Sequence, residues 1–461
     1  MNNSSGQSTL QLMGPLLVVL ILCLILAFFM PRMSTVKTIA VAGGIILFVV
    51  SFASTQAALY ILILATLLGP EIIVGTTAGG SLGRGVTLRI DDFILVIIGF
   101  SWLAKMAFYK ELGLFLKTPL NKPIAFYIIA SLISTLIGAM MGRLDLKTGF
   151  LFVLKYFEYM VIYFMVVNHL HDKKQIHYFL WALLLACVVV SFLGIAQIPG
   201  GGRVSAPFEG EVGEPNTFGG YLVFMMAITI GLFLATDSMR DKLIYGGISF
   251  IAFIPFLFTQ SRSSYLAFLP MLVTFVWLSE KRKLIILSLL FLTVFIPLIA
   301  PHKVRDRITF TFTQSPQRGQ LQIGDTRLDT STSARLRSWK DALKDAVRHP
   351  ILGFGVTGYG FVDAQYPRVL VETGIVGMIS FIFLIAAIFK QGNVVFSATS
   401  DMLHKGLSMG FLAGFIGLLA HAIGSNTFII VRIMEPFWFV LGMVVMIPEL
   451  ESESSVEEHS A

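Results

Sequence analysis

An arginine stands where one long apolar segment ends and the next begins. Arg262 lies in "TQSRSSYLAF", after the apolar run 243–258 and before the run 265–278. An arginine near the centre of a bilayer costs about 2.5–3.5 kcal/mol, and less near the interface, so it is a functional candidate by default. Its planar guanidinium group makes paired hydrogen bonds to phosphate oxygens and stays ionised. Arg262 is therefore either a ligand for an anion at membrane depth or a helix end anchored among lipid headgroups.

Other charged side chains are expected on the same side of the membrane. Arg203 and Arg89 also follow or precede apolar runs at this side, and a set of outward-facing cations needs an anionic partner. The segment "EGEVGEPN" places Glu209, Glu211 and Glu214 close to Arg203. These carboxylates could bind sugar hydroxyls, act as a base or coordinate a cation, or they could simply balance the charge of a solvated loop.

Two further pairs of opposite charge lie inside apolar runs. Lys155 and Glu158 are three residues apart, as are Arg432 and Glu435, so each pair shares one helix face. Charged groups within spans usually pair and face the interior of the bundle. We interpret the first pair as structural. Arg432 lies nearer the outer end of its span, where it could join an anion site.

The elements that position these residues are predicted to be membrane-spanning helices. The chain is 56% hydrophobic and 13% charged, whereas a soluble domain is about 45–50% apolar and about 25% charged. Apolar runs long enough to cross a bilayer recur along the chain and predict an all-α, polytopic bundle of about fourteen spans. Residues 38–69 could instead form one bent helix. The predicted spans are 10–30, 36–50, 56–69, 91–107, 123–141, 149–169, 176–197, 216–236, 243–259, 263–279, 284–300, 367–390, 404–424 and 428–447.

Composition also excludes several classes of protein. The net charge of +7 comes from basic residues scattered among loops, which is not the clustered pattern of nucleic-acid binding. Cys23 and Cys187 both lie in apolar runs, so neither a disulfide framework nor a thiolate metal site is expected. His169, His171 and His177 fit no zinc motif. We expect no metal and no cofactor.

Sidedness follows from the basic residues of the short loops. One set of loops carries roughly twelve Lys and Arg against roughly eight in the opposite set, and the richer set is predicted to be cytoplasmic. Residues 1–300 would then hold eleven spans and 301–366 a long periplasmic loop. Residues 367–447 would hold three spans, and 448–461 would form an acidic, disordered cytoplasmic tail.

The long loop contains an amphipathic helical pattern. In "TSARLRSWKDALKDAVRHP" the residues Leu336, Trp339, Leu343 and Val347 recur at spacings of three and four. Ser331 or Thr332 could cap the start of the helix, and Pro350 ends it. The helix could lie on the membrane–water boundary, cover the mouth of the bundle, or simply pack with a solvated face. The glycine-rich "PILGFGVTGYGF" that follows permits tight turns and close approach to a ligand.

The order of these segments resembles a known family. "GRVSAPFEGEVGEPNTFGGYL", "TQSRSSYLAF", "ARLRSWKDALKDAVRHPILGFGVTGYG" and "VETGIVGMISF" together resemble the O-antigen ligase and O-antigen polymerase superfamily. The resemblance covers roughly residues 85–445. It implies a multi-pass protein of the bacterial inner membrane that moves a glycan from an undecaprenyl-diphosphate carrier to an acceptor hydroxyl at the periplasmic face. The implied partners are this donor, a glycan or lipid acceptor and the bilayer.

The resemblance also implies roles for individual residues. Arg262 and Arg203 match positions associated with the diphosphate, and Arg335 and Arg337 lie in the helical motif of the loop. Many family members carry a histidine where this sequence has Asp363, which favours a polymerase over a ligase. An aspartate can serve as the base if burial raises its pKa towards neutrality, or it can merely pair with an arginine.

Two other classes of function remain open at this stage. A lipid-glycan flippase or polysaccharide transporter would also be polytopic, but such proteins often show inverted repeats and charges at the membrane midplane. No internal repeat is visible, and the polar groups concentrate at one side. A noncatalytic assembly subunit is the third possibility.

Overall fold

A computed structural model describes residues 34–69, 71–73, 87–108, 117–207, 213–299, 302–323 and 326–460. The predicted first span, 10–30, and the carboxylates Glu209 and Glu211 lie outside the described residues. Arg89 ends a short strand, β2.

The described chain is predominantly helical. Strands are confined, among the described residues, to the antiparallel pairs β1 (Glu71–Ile73) with β2 (Thr87–Arg89) and β3 (Gln322–Ile323) with β4 (Thr326–Arg327). Residues 36–69 form two helices separated by Ser54, not one bent helix. The α-helices are α1 Thr35–Ala53, α2 Thr55–Leu68, α3 Ile90–Phe108, α4 Asn121–Met140, α5 Leu146–His169, α6 Lys173–Gln197, α7 Pro215–Ala235, α8 Met239–Phe258, α9 Arg262–Leu278, α10 Arg282–Ile299, α11 His302–Thr313, α12 Thr330–Ala346, α13 Gln365–Ala398, α14 Met402–His421 and α15 Val431–Ser460.

Eight helices in the described part of the chain are long and apolar enough to cross a membrane. They are α4, α5, α6, α7, α8, α13, α14 and α15, and the apolar helices α1, α2 and α9 are shorter. The protein is therefore a multi-pass, helical membrane protein. The count of about fourteen spans stays a prediction.

Helices α7, α14 and α15 form the centre of the bundle. Gly406, Gly410 and Gly414 repeat every fourth residue along α14, facing α7. A Cβ atom on Gly231 of α7 would lie 2.4 Å from the carbonyl oxygen of Gly406. Small residues at this spacing let two helix backbones approach closely, which is how helices associate where no water drives them together.

The segment between α10 and α13 lies at one end of the bundle, called here the loop end. It contains α11, the β3–β4 hairpin and α12. Asp329 caps α12 by accepting a hydrogen bond from the backbone N–H of Thr332 at 3.1 Å, so the prediction that Ser331 or Thr332 caps it was wrong. Asp suits this position as well as Ser or Thr, and its longer reach lets it bind a second partner as well.

The predicted apolar face of α12 is divided between the protein and the outside, and its Trp339 is partly buried. Ala342 and Ala346 are buried, against Val362 and Val371, whereas the larger Leu343 and Val347 are exposed. Small side chains face the protein because α12 lies close against the start of α13.

The glycine-rich turn after α12 is inserted into a break in α13. Gly374 has a φ of +67°, which interrupts the helix. The N–H groups of Ile375 and Val376 therefore bond to the carbonyls of Pro350 and Ile351, at 2.8 and 3.1 Å. The expected close approach of this turn is thus to the protein backbone.

The glycine-rich turn also donates hydrogen bonds to α13. Phe354 and Gly355 donate their N–H groups to the carbonyls of Val371 and Glu372, at 3.0 and 2.8 Å. The N–H groups of Ile375 and Val376 and the carbonyls of Val371 and Glu372 therefore all have hydrogen-bond partners across the break. A membrane-embedded helix requires such partners.

The prediction of a disordered acidic tail was wrong. Helix α15 continues to Ser460, and Glu451 accepts hydrogen bonds from Thr399 and from Nδ1 of His404, the latter at 2.7 Å. Glutamate is a good helix former, and the preceding span already supplies the helical nucleus, so the extension costs little.

Candidate functional site at the loop end

Several elements that carry polar residues meet at the loop end of the bundle. The helices α7, α9 and α13 begin there, α14 ends there, and the first half of α12 lies against them. We call this region the mouth and define it as residues 203–205, 213–217, 259–264, 329–335, 361–365 and 421–427. Starting ends of helices present unpaired N–H groups and partial positive charge, so the mouth favours anions.

Arg262 is fully engaged with the loop. Its Nη1 donates to Oδ1 of Asp329 and its Nη2 to Oδ2, both at 3.0 Å. Nη1 also contacts the hydroxyls of Thr311 and Thr332, at 2.8 and 3.0 Å. The fork that was predicted to hold a phosphate therefore holds a carboxylate, and it joins α9 to both α11 and α12.

Asp329 is suited to this ion pair. Its side chain is almost completely buried, against one fifth exposed for Arg262. Burial by itself would raise the pKa of the Asp329 carboxyl, but hydrogen bonds from Arg262 and Thr332 and the charge of Arg262 hold it below the ordinary value.

Arg203 lies beside the same turn. Its Nε donates to the carbonyl of Thr259 at 3.0 Å, and its Nη2 to that of Gln260 at 3.3 Å. Gln260 has a positive φ of 49°, which turns its carbonyl towards the arginine. The expectation that Arg203 and Arg262 lie at one side of the bundle is met, because Arg203 contacts the two residues that precede Ser261.

Arg335 and Asp363 form the second ion pair of the mouth. Nη2 of Arg335 donates to Oδ2 of Asp363 at 2.7 Å. Among the described residues, no hydrogen bond to Oδ1 is present, and the Asp363 side chain is one third exposed. Of the two roles predicted for Asp363, pairing with an arginine is therefore realised.

Arg335 also approaches the start of α9. A Cβ atom on Gly424 would lie 3.9 Å from Nη1 of Arg335 and 2.5 Å from the hydroxyl of Ser263. The Ser263 hydroxyl donates to the carbonyl of Gly424 at 3.0 Å. The two ion pairs of the mouth are thus separated by little more than one turn of α12 and one residue of α9.

Arg337 and Arg432, two other predicted site residues, bond to residues outside the mouth. Arg337 is exposed and donates to the carbonyl of Gly319 in the loop. Arg432 is completely buried and donates to the carbonyls of Pro207 and Gly69, at 2.9 and 3.0 Å. Arg432 therefore supports the segment that carries Arg203, and its part in an anion site stays a prediction.

Glu214 and Lys155 also bind other side chains of the protein. Glu214 accepts a hydrogen bond from the Thr217 hydroxyl at 2.9 Å, at the start of α7. Lys155 forms an ion pair with Asp92 of α3 at 3.0 Å. This contact joins two helices, which fits the structural interpretation of Lys155.

A buried chain of hydrogen bonds behind the mouth was missed from the sequence. Asn216 accepts from Ser261 at 2.8 Å, Ser261 from Ser264 at 2.7 Å, and Ser264 contacts Nε2 of His421 at 3.2 Å. Nδ1 of His421 lies 2.8 Å from the Thr427 hydroxyl. A histidine inside an apolar run was the available signal.

This chain of hydrogen bonds fits between α7, α9 and α14 because α7 has two consecutive glycines. A Cβ atom on Gly219 would lie 2.2 Å from the Ser264 hydroxyl, and one on Gly220 would lie 3.1 Å from the His421 ring. The "TFGGYL" segment thus allows α9 and α14 to approach α7, which fixes the direction in which the first turn of α9 presents Arg262.

A further ion pair, between Arg368 and Glu372 of α13, was also missed from the sequence. Nε of Arg368 donates to Oε1 of Glu372 at 3.1 Å, and the same oxygen accepts the N–H of Thr357 at 3.2 Å. Thr357 has a positive φ of 70°, which is costly for a branched residue. Glu372 therefore holds the glycine-rich turn in place from within α13.

Comparison with known proteins finds a similar family. Residues 247–382 match the family described as O-antigen ligase, which confirms the resemblance to the O-antigen ligase and polymerase superfamily. The matched range contains both ion pairs of the mouth and the break at Gly374. No curated protein matches the chain. The general class of activity that the family match supports is glycan transfer in polysaccharide biosynthesis.

Proposed function

We propose that the protein transfers a glycan from an undecaprenyl-diphosphate-type carrier to an acceptor hydroxyl at the periplasmic face of a bacterial inner membrane. The observation that carries the proposal is the meeting of Arg203, Arg262, Arg335 and Asp363 at one end of a membrane bundle. Most of this mouth lies within the range that matches the O-antigen ligase family.

The chemistry of the transfer fits these residue types. The acceptor oxygen forms a bond to the anomeric carbon of the donor glycan while the bond from that carbon to the diphosphate oxygen breaks. The bonding electrons leave with the diphosphate, whose charge increases as it departs. Fixed arginines stabilise such developing charge because they are oriented before the reaction begins.

Asp363 is the side chain best placed to accept the proton of the acceptor hydroxyl. Arg335 holds Oδ2, which orients the carboxylate, while Oδ1 accepts no hydrogen bond from the described residues and the side chain is one third exposed. Proton acceptance by a positioned group contributes typically about a hundredfold to ten-thousandfold to a rate. Arg335 is the arginine closest to this carboxylate and would contact both partners in the reaction.

Arg262 has a different role from the one first predicted. Asp329 occupies the end of the guanidinium fork, where Nη1 and Nη2 point together, so phosphate oxygens could bind at that end only by replacing the carboxylate. We therefore assign Arg262 to positioning: it holds α12, and with it Arg335, over the mouth. Arg203 is exposed and is the arginine we assign to the diphosphate together with Arg335.

The proposal is tested by reconstitution of the purified protein into vesicles with lipid-linked glycan donor. Longer lipid-linked chains would indicate a polymerase, and transfer to a separate lipid acceptor would indicate a ligase. Movement of the donor across the bilayer without any new glycosidic bond would refute the proposal in favour of a flippase.

The sidedness of the mouth requires its own experiment. Ser315 is exposed at the loop end, and a Ser315→Cys variant can be treated with a membrane-impermeant thiol reagent in intact cells with a permeabilised outer membrane. Labelling is expected without permeabilisation of the inner membrane. Labelling only after the inner membrane is opened would place the mouth in the cytoplasm.

A further inference from the structure

The C-terminal half of α12 and the turn after it leave large apolar side chains uncovered. Leu343 is 49% exposed, Val347 76% and Ile351 65%. Leu343 and the helix-capping Val347 are four residues apart and share one side of α12, and Ile351 follows in the turn; the three are called here the apolar strip. The buried side of α12 instead uses Ala342 and Ala346. The apolar strip is therefore an outward-facing surface.

The apolar strip is continuous with the surface that faces lipid. The carbonyl of Ile351 accepts the N–H of Val376 at 3.1 Å, so Ile351 lies level with Val376 on α13. Exposed apolar residues on α13 begin at this level and continue to Val394: Ile375, Val376, Ile379, Ile382, Phe383, Phe389 and Val394. At 1.5 Å per residue, this stretch spans about 30 Å, the thickness of the hydrocarbon core.

The neighbouring helix places the membrane boundary at the same level. Gly138 near the end of α4 contacts the turn, because a Cβ atom there would lie 2.4 Å from the carbonyl of Phe354. Met140 and Met141, which follow, are strongly exposed. The turn that carries Ile351 thus lies beside the apolar end of α4 as well as beside the start of the lipid-facing part of α13.

Exposed basic residues flank the apolar strip. Lys340 and Lys344 are exposed on the same half of α12, and Arg348, which pairs with Asp345 at 3.3 Å, is exposed in the turn that follows. An apolar strip bordered by lysine and arginine is the pattern of helices that lie in the interface, with the basic groups among lipid phosphates.

We infer that the apolar strip is inserted into the lipid leaflet at the loop end and that the basic residues beside it contact the phosphates of that leaflet. The hydrogen bonds across the break in α13 fix the depth of Ile351, and Val347 and Leu343 lie progressively nearer the headgroups. The mouth is thereby held at the level of lipid headgroups. This inference rests on the membrane-spanning fold and not on the proposed glycan transfer.

The experiment measures the surroundings of spin labels on the apolar strip. Ile351→Cys, Val347→Cys and Leu343→Cys are made in a background with Cys23→Ala and Cys187→Ala, labelled with a nitroxide and reconstituted into vesicles of phosphatidylethanolamine and phosphatidylglycerol. The relaxation of each label by oxygen, which concentrates in lipid, is compared with that by a water-soluble nickel chelate. Ile379→Cys on the lipid-facing side of α13 and Ser315→Cys in the loop are the matched controls.

The expected result is an oxygen-to-nickel ratio at Ile351 somewhat below that at the deeper Ile379 and well above that at Ser315, with decreasing ratios at Val347 and Leu343. Ratios equal to that of Ser315 at all three positions would overturn the inference, because the strip would then face water. Low relaxation by both reagents would also overturn it, because a protein surface, such as a second copy of the chain, would then cover the strip. Since all three side chains are exposed, the cysteine variants are expected to fold, and gel filtration of each checks this.

Discussion

The guanidinium group of Arg262 and the carboxylate of Asp329 face each other through two hydrogen bonds of 3.0 Å. The same carboxylate caps α12 through Thr332. A single aspartate therefore begins the helix that carries Arg335 and also ties that helix to the first turn of α9. The position of α12 over the mouth depends on a contact between residues 67 positions apart in the chain.

Arg262→Lys is expected to lower the rate of glycan transfer although the charge is kept. Lysine offers a point charge and cannot contact both oxygens of Asp329 and the two threonines together. Hydrogen bonds to charged groups contribute about 1.5–3 kcal/mol, so a loss of roughly tenfold to a hundredfold in rate is expected if α12 moves. The measurement is transfer by purified protein in vesicles, with thermal melting followed alongside.

Asp329→Asn separates the two roles of Arg262. Asparagine caps a helix as well as aspartate does, so α12 should still form while the ion pair is lost. If Arg262 acts through Asp329, this variant loses about as much activity as Arg262→Lys, and the double variant loses no more. Normal or higher activity of Asp329→Asn beside an inactive Arg262→Lys would show instead that Arg262 binds the diphosphate itself.

The ion pair between Arg262 and Asp329 should also make the loop sensitive to acid. The folded pKa of Asp329 lies below its ordinary value of 3.8. Its stabilisation is therefore complete above 3.8 and lost as the pH falls through the folded value. Hydrogen exchange in the first turn of α12, corrected for the intrinsic effect of pH, should accelerate in this acidic range. The acceleration should be absent in Asp329→Asn; if both proteins respond alike, another group is responsible.

Asp363→Asn is expected to reduce transfer by about a hundredfold or more, as loss of a general base does, without a comparable change in melting temperature. Since Asp363 is partly exposed and Arg335 can still donate to the amide oxygen, the fold should persist. Arg335→Lys is the matched variant, which keeps a positive charge beside Asp363. Activity of Asp363→Asn within a few-fold of the wild type would exclude Asp363 as the base, since nearly all of that contribution would be intact.

Gly374→Ala should destabilise the protein more than alanine at either of two other glycines. Gly374 has a positive φ, and a Cβ atom there would lie 2.3 Å from the carbonyl of Ile351. Gly142 has a positive φ with open space, and Gly360 has open space without one. Backbone strain costs about 1–3 kcal/mol and overpacking about 1–3 kcal/mol more. Melting temperatures should therefore fall least for Gly360→Ala and most for Gly374→Ala, and any other order would contradict the described break in α13.

The sequence by itself determined the helical membrane fold. Apolar length and the scarcity of charge are local properties, and the span starts predicted at 123, 149, 176, 216, 243, 263, 367 and 404 lie within four residues of the observed helix starts. The order of weak motifs also sufficed to indicate the resemblance to the family, and it singled out Arg203, Arg262, Arg335 and Asp363, which the structure brings to one end of the bundle.

Only the tertiary structure decided the partners of those residues. An arginine that binds phosphate and one that binds Asp329 look the same in sequence, because the choice depends on which acceptor a distant loop supplies. The sequence likewise does not show the hydrogen bonds of His421. They form because two glycines of α7 let α9 and α14 approach closely. The surroundings of α12 are another example: its sequence left open whether the apolar face meets lipid, covers the mouth or packs on the protein, and the tertiary structure decided that Ala342 and Ala346 pack against Val362 and Val371.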